Sequence, residues 1–130
     1  MPADAARRMT EPDAAILIVE DDADVREAMA VFLAGEGYAV VEARHGAEAL
    51  HQLRSPARVC LILLDLFMPV MDGWAFRAEQ LRDQALAGIP VIVISADASA
   101  PRRGRELGAV ASMVKPIDFD VLLEHVDHYC

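Results

Sequence analysis

The sequence predicts a doubly wound α/β domain, a parallel five-stranded sheet flanked by five helices, and three observations predict it. Short apolar runs alternate with longer amphipathic runs five times along the chain. The runs at 16–19, 59–64 and 90–94 are apolar at consecutive positions, which a strand needs when helices cover both faces of a parallel sheet. The segments between them carry apolar residues at helical spacing. Parallel strands joined by right-handed helical crossovers make a doubly wound domain.

The elements follow in order. The opening stretch MPADAARRMTEPD has two prolines and few branched apolar residues, so residues 1–13 are expected to form a flexible tail and 14–130 the folded domain. AILIV is the first strand. ADVREAMAVFLAGEG is the first helix, with Val25, Met29, Phe32 and Leu33 on one face, Asp22 or Asp24 at its N-cap and Gly35 and Gly37 at its end. YAVVEA is the second strand, and GAEALHQL, opened by Gly46, the second helix. VCLILLD is the third strand, and Asp72-Gly73 reads as turn chemistry before the helix in GWAFRAEQLRDQ. IPVIVISA supplies the fourth strand. The fourth helix, near 101–107, is short and contains Gly104, which costs about 1 kcal/mol relative to Ala, so it is expected to be marginal. VASMV is the fifth strand, and IDFDVLLEHVDH the last helix, striped by Leu122, Leu123 and Val126.

Composition bounds the function. At 130 residues the chain fits one domain with little room for an output module. Apolar residues are 55% and aromatics 5%, so the core must be aliphatic. A net charge of −9 opposes binding to a phosphate backbone, and direct nucleic-acid binding is not expected. Cys60 and Cys130 offer no disulfide framework and suit a reducing compartment. No segment is apolar for long enough to span a bilayer, and the N-terminus lacks a signal-peptide core. These features predict a cytoplasmic protein without membrane attachment. His125 and His128, with Cys130 nearby, read as a solvated helix end, and Met68, Met71 and Met113 as fillers.

The informative polar residues lie at strand ends. In an open parallel sheet, ligands sit outside the carboxyl ends of the strands. The first strand ends in Glu20-Asp21-Asp22, the third in Asp65, the fourth in Ser95 and the fifth in Lys115. Carboxylates gathered there repel one another, so a cation is needed to keep them ionised. Oxygen-only ligands favour a hard ion, Mg²⁺ first. None of the four histidines lies at a strand end, which argues against zinc. Mg²⁺ with a strand-end Lys115 and the Ser95 hydroxyl suits phosphoryl transfer.

The blocks ILIVEDD, LLDLFMPVMDG, VIVISA and VKP resemble, in order, those of bacterial two-component receiver domains, and the single-domain chemotaxis-type regulators in particular. The resemblance covers about residues 14–128 and implies a flavodoxin-like strand order 2-1-3-4-5. It implies that Asp65 is the phosphoacceptor, that Asp21 and Asp65 bind Mg²⁺ directly, that Glu20 holds metal-bound water, and that the Phe67 carbonyl completes the metal sphere. Ser95 and Lys115 would contact the phosphoryl group, and the Lys115–Pro116 bond would be cis. The implied donor is a phosphohistidine on a sensor histidine kinase or histidine phosphotransfer protein. The implied output is a protein target, reached through the fourth-helix to fifth-helix face. Such a chain assists its own phosphorylation and is not a turnover enzyme.

Three features depart from the family pattern. Ser112 stands where receivers usually carry an aromatic ring, three residues before the site lysine. Arg102, Arg103 and Arg105 form a basic cluster that is either a docking patch for an acidic partner or a solvated face. Phe67 and Asp97 occupy positions that shape water's access to an acyl phosphate, and a large Phe67 is expected to slow its hydrolysis. Competing readings are an aspartyl-nucleophile phosphatase, which needs a second acid where Phe67 stands; a nucleotide module, which the acidic EDDAD turn opposes; and a receiver-like interaction module that is never phosphorylated.

Overall fold

The computed structural model describes residues 14–55 and 58–130. Strands and helices alternate: β1 Ala14–Val19, α1 Ala23–Gly35, β2 Ala39–Ala43, α2 Gly46–Leu53, β3 Arg58–Asp65, α3 Gly73–Arg82, β4 Val91–Ser95, α4 Ala100–Glu106, β5 Ala111–Val114 and α5 Phe119–Tyr129. The strands form one sheet in the order β2-β1-β3-β4-β5, parallel at every pairing. The expected doubly wound fold and strand order are therefore present. The expected tail, residues 1–13, lies outside the described residues.

Side chains of a strand point alternately to its two faces, and in β1, β3 and β4 both sets are buried. Ile16, Ile18, Leu61, Leu63, Ile92 and Ile94 face α1 and α5 with Met29, Leu33, Leu122 and Val126. Leu17, Val19, Ile62, Leu64, Val91 and Val93 face the opposite layer with Leu50, Leu53 and Phe76. Two-sided burial is why these strands read as unbroken apolar runs. Ile16, Leu17 and Ile18 are fully buried, each contributing about 1.5–3 kcal/mol of transfer free energy.

Helix starts are fixed by local side chains. Asp22 caps α1, accepting from the N–H groups of Asp24 at 2.9 Å and Val25 at 3.2 Å, so the cap is Asp22 and not Asp24. Asp118 caps α5 in the same way. Asp72 accepts from Ala75 N–H at 2.9 Å, so the Asp72-Gly73 pair is a helix start as well as a turn. His45 caps α2 through Nδ1, which accepts from Glu48 N–H at 3.3 Å.

One expectation from the sequence is corrected. Cys60 and Cys130 are joined in a disulfide, with Cα atoms 5.6 Å apart across 70 residues of sequence. The reason is tertiary: Cys60 lies on the β3 face that α5 covers, and α5 ends by carrying Cys130 back over that strand. The cysteines therefore give no argument for a reducing compartment. Among the described residues, no helix is long and apolar enough to cross a membrane.

Candidate functional site

The carboxyl edge of the sheet gathers the strand-end residues. Glu20 extends β1 by one ladder bond, its N–H donating to the Ala43 carbonyl at 3.0 Å, and its side chain is buried at 1% exposure. Its Oε2 accepts from Asp22 N–H at 3.2 Å, and its Oε1 lies 2.5 Å from Lys115 Nζ. Asp65, the last residue of β3, is also buried; its Oδ1 accepts from Phe67 N–H at 3.3 Å and its Oδ2 lies 3.7 Å from Lys115 Nζ. Asp21 is exposed at the mouth. Carboxylate oxygens of Glu20, Asp21 and Asp65 all lie within 4.8 Å of one another.

Three carboxylates around one ammonium leave an excess of negative charge. Burial, a hydrogen bond with Glu20 and the Glu20 charge push the Asp65 carboxyl up to about 7, against the opposing pull of Lys115 and the Phe67 N–H. Burial works against the charge on Lys115, but its hydrogen bond to Glu20 and the charges of Asp65, Glu20 and Asp21 outweigh that, so its pKa stands above the ordinary value. An acid held protonated to near neutrality by its neighbours marks a place where a divalent cation would stabilise the ionised form. The donor set, oxygen only and convergent, fits a hard ion.

Ser95 ends β4 fully buried. Its Oγ accepts from Asp97 N–H at 3.2 Å, and its carbonyl accepts from Lys115 N–H at 2.8 Å, tying the end of β5 to β4. The next bond, Lys115–Pro116, is cis. Phe67 follows Asp65 in the loop with its ring half exposed and edge-on to Trp74. The structure thus brings Glu20, Asp21, Asp65 and Lys115 together directly. Ser95 joins them through the backbone of Lys115, and Phe67 through its own N–H. Asp22 is spent on capping α1, and Asp97 Oδ1 accepts from Ser99 N–H at 2.8 Å.

Sequence reasoning missed residues that shape the site without belonging to it. Arg26 donates through Nη1 to the Glu20 carbonyl at 2.8 Å and pairs through Nε with Glu42 at 3.2 Å, fixing the turn after β1. Gly73 packs so closely that a Cβ would lie 2.8 Å from the Asp65 carbonyl oxygen and from Leu66 Cα. A Cβ on Gly46 would lie 2.9 Å from the Met71 carbonyl oxygen, which accepts the Gly46 N–H at 3.0 Å. A glycine at the first position of a helix, where Ala propagates better, was the available signal.

The response regulator receiver domain model matches residues 16–127. The transcriptional regulatory protein GlrR of Escherichia coli K12 is 36% identical over 121 residues, 92% of this chain and 27% of its own length. The probable transcriptional regulatory protein SilR of Salmonella typhimurium is 37% identical over 113 residues, covering 85% of this chain and 48% of its own. The chain thus spans between a quarter and a half of these regulators. Among solved structures, Vibrio cholerae chemotaxis protein CheY4 superposes with a TM-score of 0.81 at 28% identity over 90% of this chain and 98% of that one. The signal receiver domain of a Syntrophus aciditrophicus histidine kinase superposes with a TM-score of 0.78 at 36% identity, covering 88% of each chain. Sequence blocks, sheet order and strand-end chemistry agree, and the chain belongs to the response regulator receiver domain family of two-component signalling.

Proposed function

We propose that the chain is a phosphorylation switch in which Asp65 accepts a phosphoryl group from a phosphohistidine on a sensor histidine kinase or histidine phosphotransfer protein. The observation that supports this most is the buried Asp65 carboxylate, gathered with Glu20 and Asp21 within 4.8 Å and with Lys115 Nζ 3.7 Å away. Asp21 and Asp65 would hold Mg²⁺ directly, Glu20 through a water, and Phe67 through its carbonyl. Bound Mg²⁺ supplies charge neutralisation on the transferring phosphoryl oxygens.

The remaining steps belong to the chain's own residues. An ionised Asp65 oxygen attacks phosphorus in line; the P–N bond breaks, and the imidazole keeps the electron pair and takes a proton. Lys115 offsets charge on the phosphoryl oxygens. The Ser95 hydroxyl turns to donate to one of those oxygens. Phe67, two residues beyond Asp65, offers no acid or base to speed turnover, which favours an acceptor over a phosphatase. Output would pass to a protein target on the α4-to-α5 face, whose elements expose Arg102, Arg105, Val114 and Val121. The donor class implies the cytoplasm, an inference resting on the family and not on the cysteines.

Incubation with acetyl phosphate and Mg²⁺, followed by mass spectrometry, tests the reading. Wild type is expected to gain one phosphoryl group and Asp65→Asn none. An adduct absent from wild type, or equally abundant in the variant, overturns it.

A further inference from the structure

Ser112 replaces the ring through which receivers resembling this chain couple the strand-β4 hydroxyl to the surface. Helix α4 packs closely at this position: a Cβ on Gly104 of α4 would lie 3.2 Å from Ser112 Cβ and 3.7 Å from Val93 Cβ. With Ser112 there is no ring at this position to carry the coupling. Coupling from Ser95 to α4 must then run along another set of contacts, and one such set is complete.

It starts at Ser95 Oγ, which accepts from Asp97 N–H at 3.2 Å. Asp97 Oδ1 accepts from Ser99 N–H at 2.8 Å. Ser99, placed at the N-cap of α4, does not cap the helix with its side chain. Its hydroxyl instead accepts from Arg103 Nε at 2.8 Å. The Arg103 guanidinium lies over the Trp74 ring, with Cζ 5.3 Å from the centroid. Trp74 meets the Phe67 ring edge-on at 5.3 Å and 73°, and the Phe67 N–H donates to Asp65 Oδ1 at 3.3 Å. The contacts thus run from Ser95, through α4, to Asp65.

We infer that Arg103 is the positioning residue that couples Ser95 to the Asp65 loop, acting through Ser99 on one side and the Trp74–Phe67 pair on the other. The inference rests on Asp65 being the phosphoacceptor. When the Ser95 hydroxyl turns to a phosphoryl oxygen, it leaves the Asp97 N–H, and the turn that carries Ser99 shifts with it. Arg103 then cannot keep both its hydrogen bond to Ser99 and its stack on Trp74. The guanidinium moves off the ring and Phe67 loses its backing. Only an arginine fills this role, because its planar fork uses one edge for Ser99 while presenting its face to the indole. Arg102 and Arg105 are exposed and belong to the outer surface of α4.

Trp74 is the only tryptophan, so its emission reads the stack. In the absence of any donor, Ser95→Ala is expected to shift Trp74 emission, and that shift should fall roughly fivefold or more when Arg103→Met is also present, since interacting sites are non-additive. Arg103→Lys, which keeps the charge but loses the fork, should behave like Arg103→Met and serves in its place if that variant does not fold. Arg54→Met, on the far end of α2, should leave the shift intact. With acetyl phosphate and Mg²⁺, the emission change per labelled Asp65 should be lost in the same Arg103 variants. A Ser95→Ala shift that persists in full in either Arg103 variant overturns the proposal. Failure of wild type to label at Asp65 would defeat the phosphoacceptor reading instead, and the donor-free arm would still decide the role of Arg103.

Discussion

Val70 is a β-branched residue with φ of +66° and 82% of its surface exposed. Such a backbone state costs a non-glycine residue about 1–3 kcal/mol and persists only where its surroundings impose it. Here the imposing contacts are Met71 N–H to the Pro69 carbonyl at 2.7 Å, the Met71 carbonyl to Gly46 N–H at 3.0 Å, and Gly73 N–H to the Leu66 carbonyl at 2.9 Å. They fold the chain back after Asp65 and hold the Phe67 N–H at the carboxylate. Val70→Gly should raise unfolding free energy by about 1 kcal/mol, the relieved strain exceeding the glycine's added chain entropy of about 0.5–1 kcal/mol. Urea denaturation reads this, and a lower midpoint would show that the valine side chain contributes contacts that outweigh its backbone cost. The sequence exposed Glu20, Asp21, Asp65, Ser95 and Lys115 because their side-chain chemistry is the signal. It hid Val70, Gly73 and Arg26, whose importance lies in backbone approach and appears only once the loop is folded.

At the level of elements, α3 and α4 are held in different ways. Arg77 of α3 is buried and donates through Nε to the Leu107 carbonyl at 2.9 Å, through Nη2 to the Gly108 carbonyl at 3.3 Å, and through Nη1 to Gln80 at 2.7 Å. Gln80, fully buried, donates onward to the carbonyls of Leu86 and Ile89, both at 3.0 Å. Burial holds the Arg77 pKa below its ordinary value, and neutral carbonyls satisfy its donors. These bonds lock α3 to the segments that follow both α3 and α4. Apolar periodicity is weak in a helix whose buried face includes Arg and Gln; the sequence located it only as one of the longer runs between strands, and Asp72, which caps it, read there as a turn residue. Helix α4 is the opposite case: seven residues, Pro101 in the first turn, Gly104 inside, and a Ser99 hydroxyl given to Arg103 in place of a cap. Its amides should exchange with solvent roughly tenfold or more faster than those of α3, because its N-terminus lacks a side-chain cap and Gly104 weakens its interior. Equal protection of the two helices would show that the Gly104 contact with Ser112 and Val93 stabilises α4 more than its ends weaken it.

Across the whole molecule, the parallel topology was legible because two-sided burial writes itself as unbroken apolar strands, whereas the strand order came from resemblance and the Cys60–Cys130 pairing from neither. That pairing depends on the line along which α5 docks on β3, which local periodicity does not encode. The same topology sets the electrostatics, since a doubly wound sheet delivers Glu20, Asp21, Asp65 and Lys115 to one edge whatever the rest of the surface carries. In the metal-free state the Asp65 carboxyl stands near 7, against an ordinary 3.8 in the unfolded chain. Between about pH 4 and 7 the folded protein therefore keeps a proton that the unfolded chain has released, so this group's contribution to stability falls as pH rises through that window. Below the window both states are protonated; above it both are ionised and the penalty is fully present. Thermal unfolding in EDTA should show Asp65→Asn gaining on wild type as pH is raised from 4.5 to 7.5. Mg²⁺ competes with the same proton, so it should raise the wild-type Tm more at pH 8 than at pH 5 and do little for Asp65→Asn at either. A wild-type advantage that does not change with pH, together with equal Mg²⁺ shifts at both pH values, would show that Asp65 is already ionised without the cation and that Lys115 alone suffices to hold it so.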